Sequence, residues 1–281
     1  MTDTTDDGIL CSGRSFLEGP RWHDGALWCS DMHGDRVLRI DLDGTVTEVV
    51  EVDHPSGLGW LPDGSLLVVS MEARHLLRFD GSRLHRHADL SALAPHEIND
   101  MVVDARGHAF VGQFGYDMHG GAAPAPSALL RADPDGSVHE AAPDLAVANG
   151  MVITRDGRTL IVAESAGKAL TAFDLAADGT LTNRRVWAAL PDPPDGIGID
   201  SRDGVWCAGP VTDRFVRVTE GGNVTDIVDT PGRHAIACVV GGTDGHTLFM
   251  LTASTLGARA ASVAAMSAAV ETTRVDVPGV V

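Results

Sequence analysis

Four oxygen-donor side chains stand at comparable places in a repeated sequence pattern. They are Glu18 in LEGPRW, Asn99 in INDMVV, Asn149 in ANGMVI and Asp195 in PDGIGI. Asn149 and Asp195 lie 46 residues apart. Carboxylate and amide oxygens suit a hard divalent cation such as Ca2+ or Mg2+, and they can also hold Zn2+. Two carboxylates would balance one such ion and leave room for water. A plainer reading competes at every position. Asn-Gly and Asp-Gly are common turn dipeptides, Asn99-Asp100 can form an Asx-turn, and Glu18 alone is an ordinary surface carboxylate. Position is what argues for a shared site. The hairpin turns of this chain are Asp-Gly pairs between two strands, whereas these four residues stand before the first strand of a unit. Residue type and spacing leave both readings open.

The elements that would have to position them come from the same pattern. Residues 147–164, VANGMVITRDGRTLIVAE, run from a polar start through an apolar stretch, an Asp-Gly turn and a second β-forming stretch, which reads as a hairpin. The layout recurs at residues 18–31, 54–70, 98–112 and 194–209. Turn signals such as Asp43-Gly44, Asp63-Gly64, Asp156-Gly157 and Asp178-Gly179 punctuate the chain about every twenty residues. Two such hairpins make a four-stranded sheet of about forty-five residues, the period of a propeller blade. The 281 residues therefore predict an all-β, six-bladed β-propeller. A sandwich would leave about half the chain unused, and a doubly wound α/β fold lacks its amphipathic helices. No linker or compositional break divides residues 14–281, which are expected to form a single domain behind a flexible segment 1–13. Residues 260–270 are alanine-rich enough for helix, but a sixth blade needs outer strands, so a strand-containing segment is expected. In a propeller the innermost strands begin around one axis, so Glu18, Asn99, Asn149 and Asp195 would meet there. The segment QFGYDMHG at 113–120, with Tyr116, Asp117 and His119, either walls that pocket or is a glycine-rich surface loop; Glu97 flanks Asn99.

Composition narrows the function. Asp and Glu outnumber Lys and Arg 39 to 21, a net charge of −18, which argues against nucleic acid and against an anionic membrane surface. No apolar run reaches membrane-spanning length, and the first twenty residues carry no signal-peptide core, so a cytoplasmic location is expected. Cys11, Cys29, Cys207 and Cys238 are scattered without CxxC spacing, and Cys29, Cys207 and Cys238, in or beside apolar runs, are expected as buried free thiols. Ser165 lacks a GxSxG elbow, no HExxH is present, and Walker or Rossmann glycine loops are absent.

Residues 17–41, 98–112, 147–165, 194–208 and 241–254, in this order and with these gaps, resemble the family of senescence marker protein 30 (regucalcin), gluconolactonases and related six-bladed propellers, from about residue 15 to 278. The resemblance implies that Glu18, Asn149 and Asp195 hold one divalent metal ion, Ca2+ first, with Zn2+, Mg2+ or Mn2+ as alternatives. It implies that Asn99 lines the substrate site and that Asp195 is the general base. The implied reaction is hydrolysis of a lactone, with the cation polarising the ester carbonyl and Asp195 taking the proton of the attacking water. The implied partner is a small lactone or related ester, with Glu97, Tyr116 and His119 as further substrate-binding candidates. The chain also departs from the pattern. Members acting on sugar lactones often carry arginine where this chain has Glu97, which would repel an anionic substrate and lacks the guanidinium fork. Val240-Gly241-Gly242 stands where Phe-Gly-Gly is usual, and Glu164-Ser165 where Asp-Ser is usual. Metal-dependent phosphotriester hydrolysis and non-catalytic binding of calcium or a protein partner are the alternative functions.

Overall fold

The computed structural model describes residues 8–118, 120–256 and 258–280. Six antiparallel sheets of four strands each form a six-bladed β-propeller. Blades 1 to 5 are continuous in sequence, over residues 17–51, 55–89, 98–145, 148–189 and 197–229, each running from the inside of the ring outward. Blade 6 takes three strands from residues 234–274 and its outermost strand, Gly8–Arg14, from the other end of the chain. Gly8 pairs with Thr272 and Arg14 with Ala268, so hydrogen bonds between distant segments close the ring. This corrects the expectation of a flexible segment through residue 13: residues 8–13 are strand, because the last sheet would otherwise expose an unpaired edge. Residues 1–7 lie outside the described residues. At residues 260–270 both readings apply in part, with helix over Arg259–Ala265 and strand over Ala268–Arg274.

Burial follows position in the blade. The second strand of blade 2, Leu66–Ser70, is buried at every residue because neighbouring blades cover both faces, whereas the outer strand of blade 5, Asn223–Asp229, is exposed at nearly every one. Apolar clusters fill the seams between blades, such as Val152, Ile161, Leu170, Val205 and Cys207 between blades 4 and 5. The seam that closes the ring stacks Trp22 on Phe249, ring centroids 5.2 Å apart. The Asp-Gly turns account for part of the acidic composition. Asp43 Oδ1 accepts the Thr45 N–H at 2.9 Å and Asp178 Oδ1 the Thr180 N–H at 3.0 Å, and these bonds hold both carboxyls below the usual range. All four cysteines are buried and free. Burial raises the thiols of Cys29, Cys207 and Cys238, which keeps them protonated and inert. Among the described residues no helix is long and apolar enough to cross a membrane.

Candidate functional site

The innermost strands are Leu17–His23, Pro55–Trp60, Ile98–Val103, Ala148–Ile153, Ile197–Ile199 and His234–Gly241. Five of them slip in register against their neighbour near the start: between Glu18 and Arg21, Pro55 and Leu58, Ile98 and Met101, Ala148 and Met151, and Ala235 and Ala237. Such a bulge frees a residue from the ladder and re-aims its side chain. Among the residues freed are Ser56, Asn99, Asn149 and Ile236; Glu18 still pairs with Ser30 at the edge of its slip, and Asp195 lies two residues before the inner strand of blade 5. In blades 2 and 4 the adjacent inner strand approaches so closely that the next position must be small. A Cβ on Gly150 would lie 2.5 Å from the Ile197 nitrogen, and one on Gly57 would lie 2.3 Å from the Met101 nitrogen. Asn149-Gly150 is therefore not a free turn but part of a strand packed against the next blade.

Two separate sets of hydrogen bonds tie these positions to their neighbours. Asn149 Nδ2 donates to Asp195 Oδ1 at 2.6 Å and to Ser165 Oγ at 3.2 Å, and Ser165 Oγ donates to the Pro194 carbonyl at 2.7 Å. With its amide nitrogen committed to two acceptors, Asn149 keeps Oδ1 as its available atom. On the other side, Ser30 Oγ donates to the Ser56 carbonyl at 2.6 Å, and Ser56 Oγ donates to Asn99 Oδ1 at 3.3 Å. Glu18 Oε2 accepts the Gly19 N–H at 3.1 Å.

Electrostatics show that the acidic members lie close together. Glu18 is raised well above the usual carboxylate range, first by burial and then by the charges of Asp195 and Asp100. Asp195 is pushed up to about 7 by burial, with the charge of Asp100 adding and the Asn149 hydrogen bond opposing. Asp100 is also raised by burial, against the pull of Arg21, whose Nη2 donates to Asp100 Oδ1 at 3.1 Å. Against these three enclosed carboxyls stands the guanidinium of Arg21, which acts on Glu18 and Asp100. That imbalance, together with a set of oxygen donors, fits a hard cation. Among the described residues no three His, Cys, Asp or Glu side chains are arranged as a metal cluster; the donor set of Glu18, Asn149 and Asp195 contains only two of those types.

The other predicted residues are less central. Glu97 is half-buried just before the inner strand of blade 3, and its carbonyl accepts the Phe114 N–H at 3.1 Å. Tyr116 is half-buried in the connection between residues 113 and 127, packed on the core. His119 lies outside the described residues. Ser56, Asp100 and Arg21 were not legible as site residues. Asp100 does carry a signal: it occupies the place held by Gly19, Gly57, Gly150, Gly196 and Ala237 in the other blades. A cavity of about 450 Å³ between blades 4 and 5, lined by residues such as Thr154, Arg185 and Glu220, contains none of the candidates.

The chain matches the SMP-30/Gluconolactonase/LRE-like region over residues 16–254. It is 29% identical to pentonolactonase XacC of Haloferax volcanii over 245 residues, 84% of this chain and 81% of the relative. It is 30% identical to L-arabinolactonase of Azospirillum brasilense over 234 residues, 79% of this chain and 77% of the relative. Among solved structures it is similar in fold to regucalcin of Agrobacterium tumefaciens, described as calcium-binding, with a TM-score of 0.81, 20% identity, and coverage of 97% of this chain and 95% of that one.

Proposed function

From the premise that the chain belongs to the SMP-30/gluconolactonase/LRE-like family, we propose that it is a hydrolase that opens a lactone ring with the help of one divalent cation. The observation that carries this reading is the convergence, from three different blades, of two buried carboxylates and an amide whose nitrogen is tied back. Glu18, Asp195 and Asn149 Oδ1 would hold the cation. When bound it would polarise the ester carbonyl and stabilise the negative charge that develops on its oxygen.

The chain's own residues supply the rest. Asn149 Nδ2 fixes Asp195 through Oδ1, which leaves Oδ2 to receive a proton. As the oxygen of water bonds to the acyl carbon, its proton passes to Asp195. The acyl–oxygen bond then breaks, and the ring oxygen takes that proton to give a hydroxy acid. With the cation bound, its charge would keep Asp195 ionised and so ready to accept the proton of the attacking water. Asn99, whose Oδ1 accepts from Ser56, has its amide N–H groups left to donate to a substrate oxygen. Glu97 beside it disfavours an anionic substrate, so uncharged lactones are the expected class.

The test is a screen of sugar, aliphatic and aromatic lactones with added Ca2+, Mg2+, Mn2+ or Zn2+, read as proton release. Turnover that disappears in Asp195→Asn and after chelation is the expected result. Full activity in that variant, or in metal-free protein, would overturn the mechanism. Failure on the whole panel would overturn the function.

A further inference from the structure

The guanidinium of Arg21 reaches from blade 1 past blade 2 to blade 3. It donates to Asp100 Oδ1 at 3.1 Å, to the Met101 carbonyl, and to its own neighbour's carbonyl, Pro20 O, at 2.8 Å. Both partners are enclosed, the Asp100 side chain 5% and the Arg21 side chain 18% exposed. Asp100 Oδ1 also accepts the Met101 N–H at 2.7 Å, so this one oxygen is fixed from two sides. In the other five blades the place of Asp100 is taken by glycine or alanine. The pair is thus an addition to the repeat, set directly after the ring of candidate ligands, and the packing of the inner strands does not demand it.

We propose that Arg21 is a specificity-determining residue for the cation: locked onto Asp100, it keeps this third carboxylate out of the ligand set and sets the charge that the site presents. The inference rests on the cation reading given above. Ionised around a bound cation, Glu18, Asp100 and Asp195 together with Arg21 would carry a net two negative charges, which one divalent ion neutralises. Without Arg21 the same pocket would carry three and would favour a trivalent ion. A planar fork suits this duty, because it serves the carboxylate and two backbone carbonyls at once, whereas an ammonium would act only as a point charge.

The test compares binding of Ca2+ and of Tb3+, an oxygen-seeking trivalent ion, by titration calorimetry on the full chain, in wild type, Arg21→Met, Asp100→Asn and the double variant. Charge–charge energy scales with the charge of the ion, so if losing the guanidinium tightens Ca2+ about tenfold it tightens Tb3+ about thirtyfold. The Tb3+/Ca2+ affinity ratio therefore rises about threefold in Arg21→Met, falls about threefold in Asp100→Asn, and returns near the wild-type value in the double variant. Arg21→Lys, which keeps the charge, stays close to wild type. Thermal melts establish that each variant is folded, and if Arg21→Met fails to fold, Asp100→Asn still carries the opposite prediction. A purely structural bridge would lower both affinities alike, so unchanged ratios in the folded variants would overturn the inference and leave the cation reading standing. Wild-type protein that binds neither ion would remove both.

Discussion

Replacing Asp195 by asparagine should abolish turnover and yet stabilise the cation-free protein above neutral pH. In the unfolded chain this carboxyl titrates near 3.8, whereas in the folded protein burial and Asp100 push it up to about 7. For an acid shifted upward, the folded state keeps its proton where the unfolded chain has lost it. The stability this contributes is complete below about pH 4, declines as pH rises, and is gone above about pH 7. Three pKa units at about 1.4 kcal/mol each set the cost of forcing ionised Asp195 into the cation-free site at about 4 kcal/mol at most. Asparagine carries no charge at any pH, avoids that cost, and retains an oxygen acceptor for the Asn149 amide. In EDTA at pH 8, Asp195→Asn should be more stable than wild type by up to about 4 kcal/mol, or roughly 8 °C in Tm for a domain of this size. At pH 4 the two should coincide. Urea unfolding followed by tryptophan fluorescence, at both pH values and with and without Ca2+, makes the measurement. Added Ca2+ should stabilise wild type far more than the variant. A variant less stable than wild type at pH 8 in EDTA, or a difference that ignores pH, would refute the reasoning.

Three further outcomes follow from the same geometry. Ser165→Ala removes both the acceptor of Asn149 Nδ2 and the donor to Pro194; it should cost about 1–2 kcal/mol of stability and weaken Ca2+ binding measurably by calorimetry, with no change confined to kcat. Gly150→Ala sets a Cβ 2.5 Å from the Ile197 nitrogen, so blades 4 and 5 must part, and denaturant melts should show a loss of about 3 kcal/mol or more. Deleting residues 1–14 strips the outermost strand from blade 6 and should lower Tm and increase aggregation, since it bares the edge of Ala268–Arg274; an unchanged melt would show that this strand contributes nothing to closing the ring.

The blades were legible in the chain because their punctuation is local. An Asp-Gly turn needs only the turn's own residues, and the bond from Asp43 Oδ1 to the Thr45 N–H forms within three residues of sequence. The spacing of such turns counts strands, and strands count blades. The setting of Asn149 was not legible. Asn-Gly is the same dipeptide in a free turn and in a strand packed against the next blade, and only the close approach of Ile197 separates the two. The strand Gly8–Arg14 had the same ambiguity, because its partner Ala268–Arg274 lies at the far end of the chain. Arg21 and Asp100 are further still from local reading: 79 residues separate them, and nothing in either neighbourhood announces the other. Side-chain ionisation is the clearest case of all. The sequence determined that Glu18, Asp100 and Asp195 are acids. That burial raises all three, with repulsion from neighbouring acids adding to Glu18 and Asp195, was decided only when the ring closed and brought three blades' charges into one enclosed space.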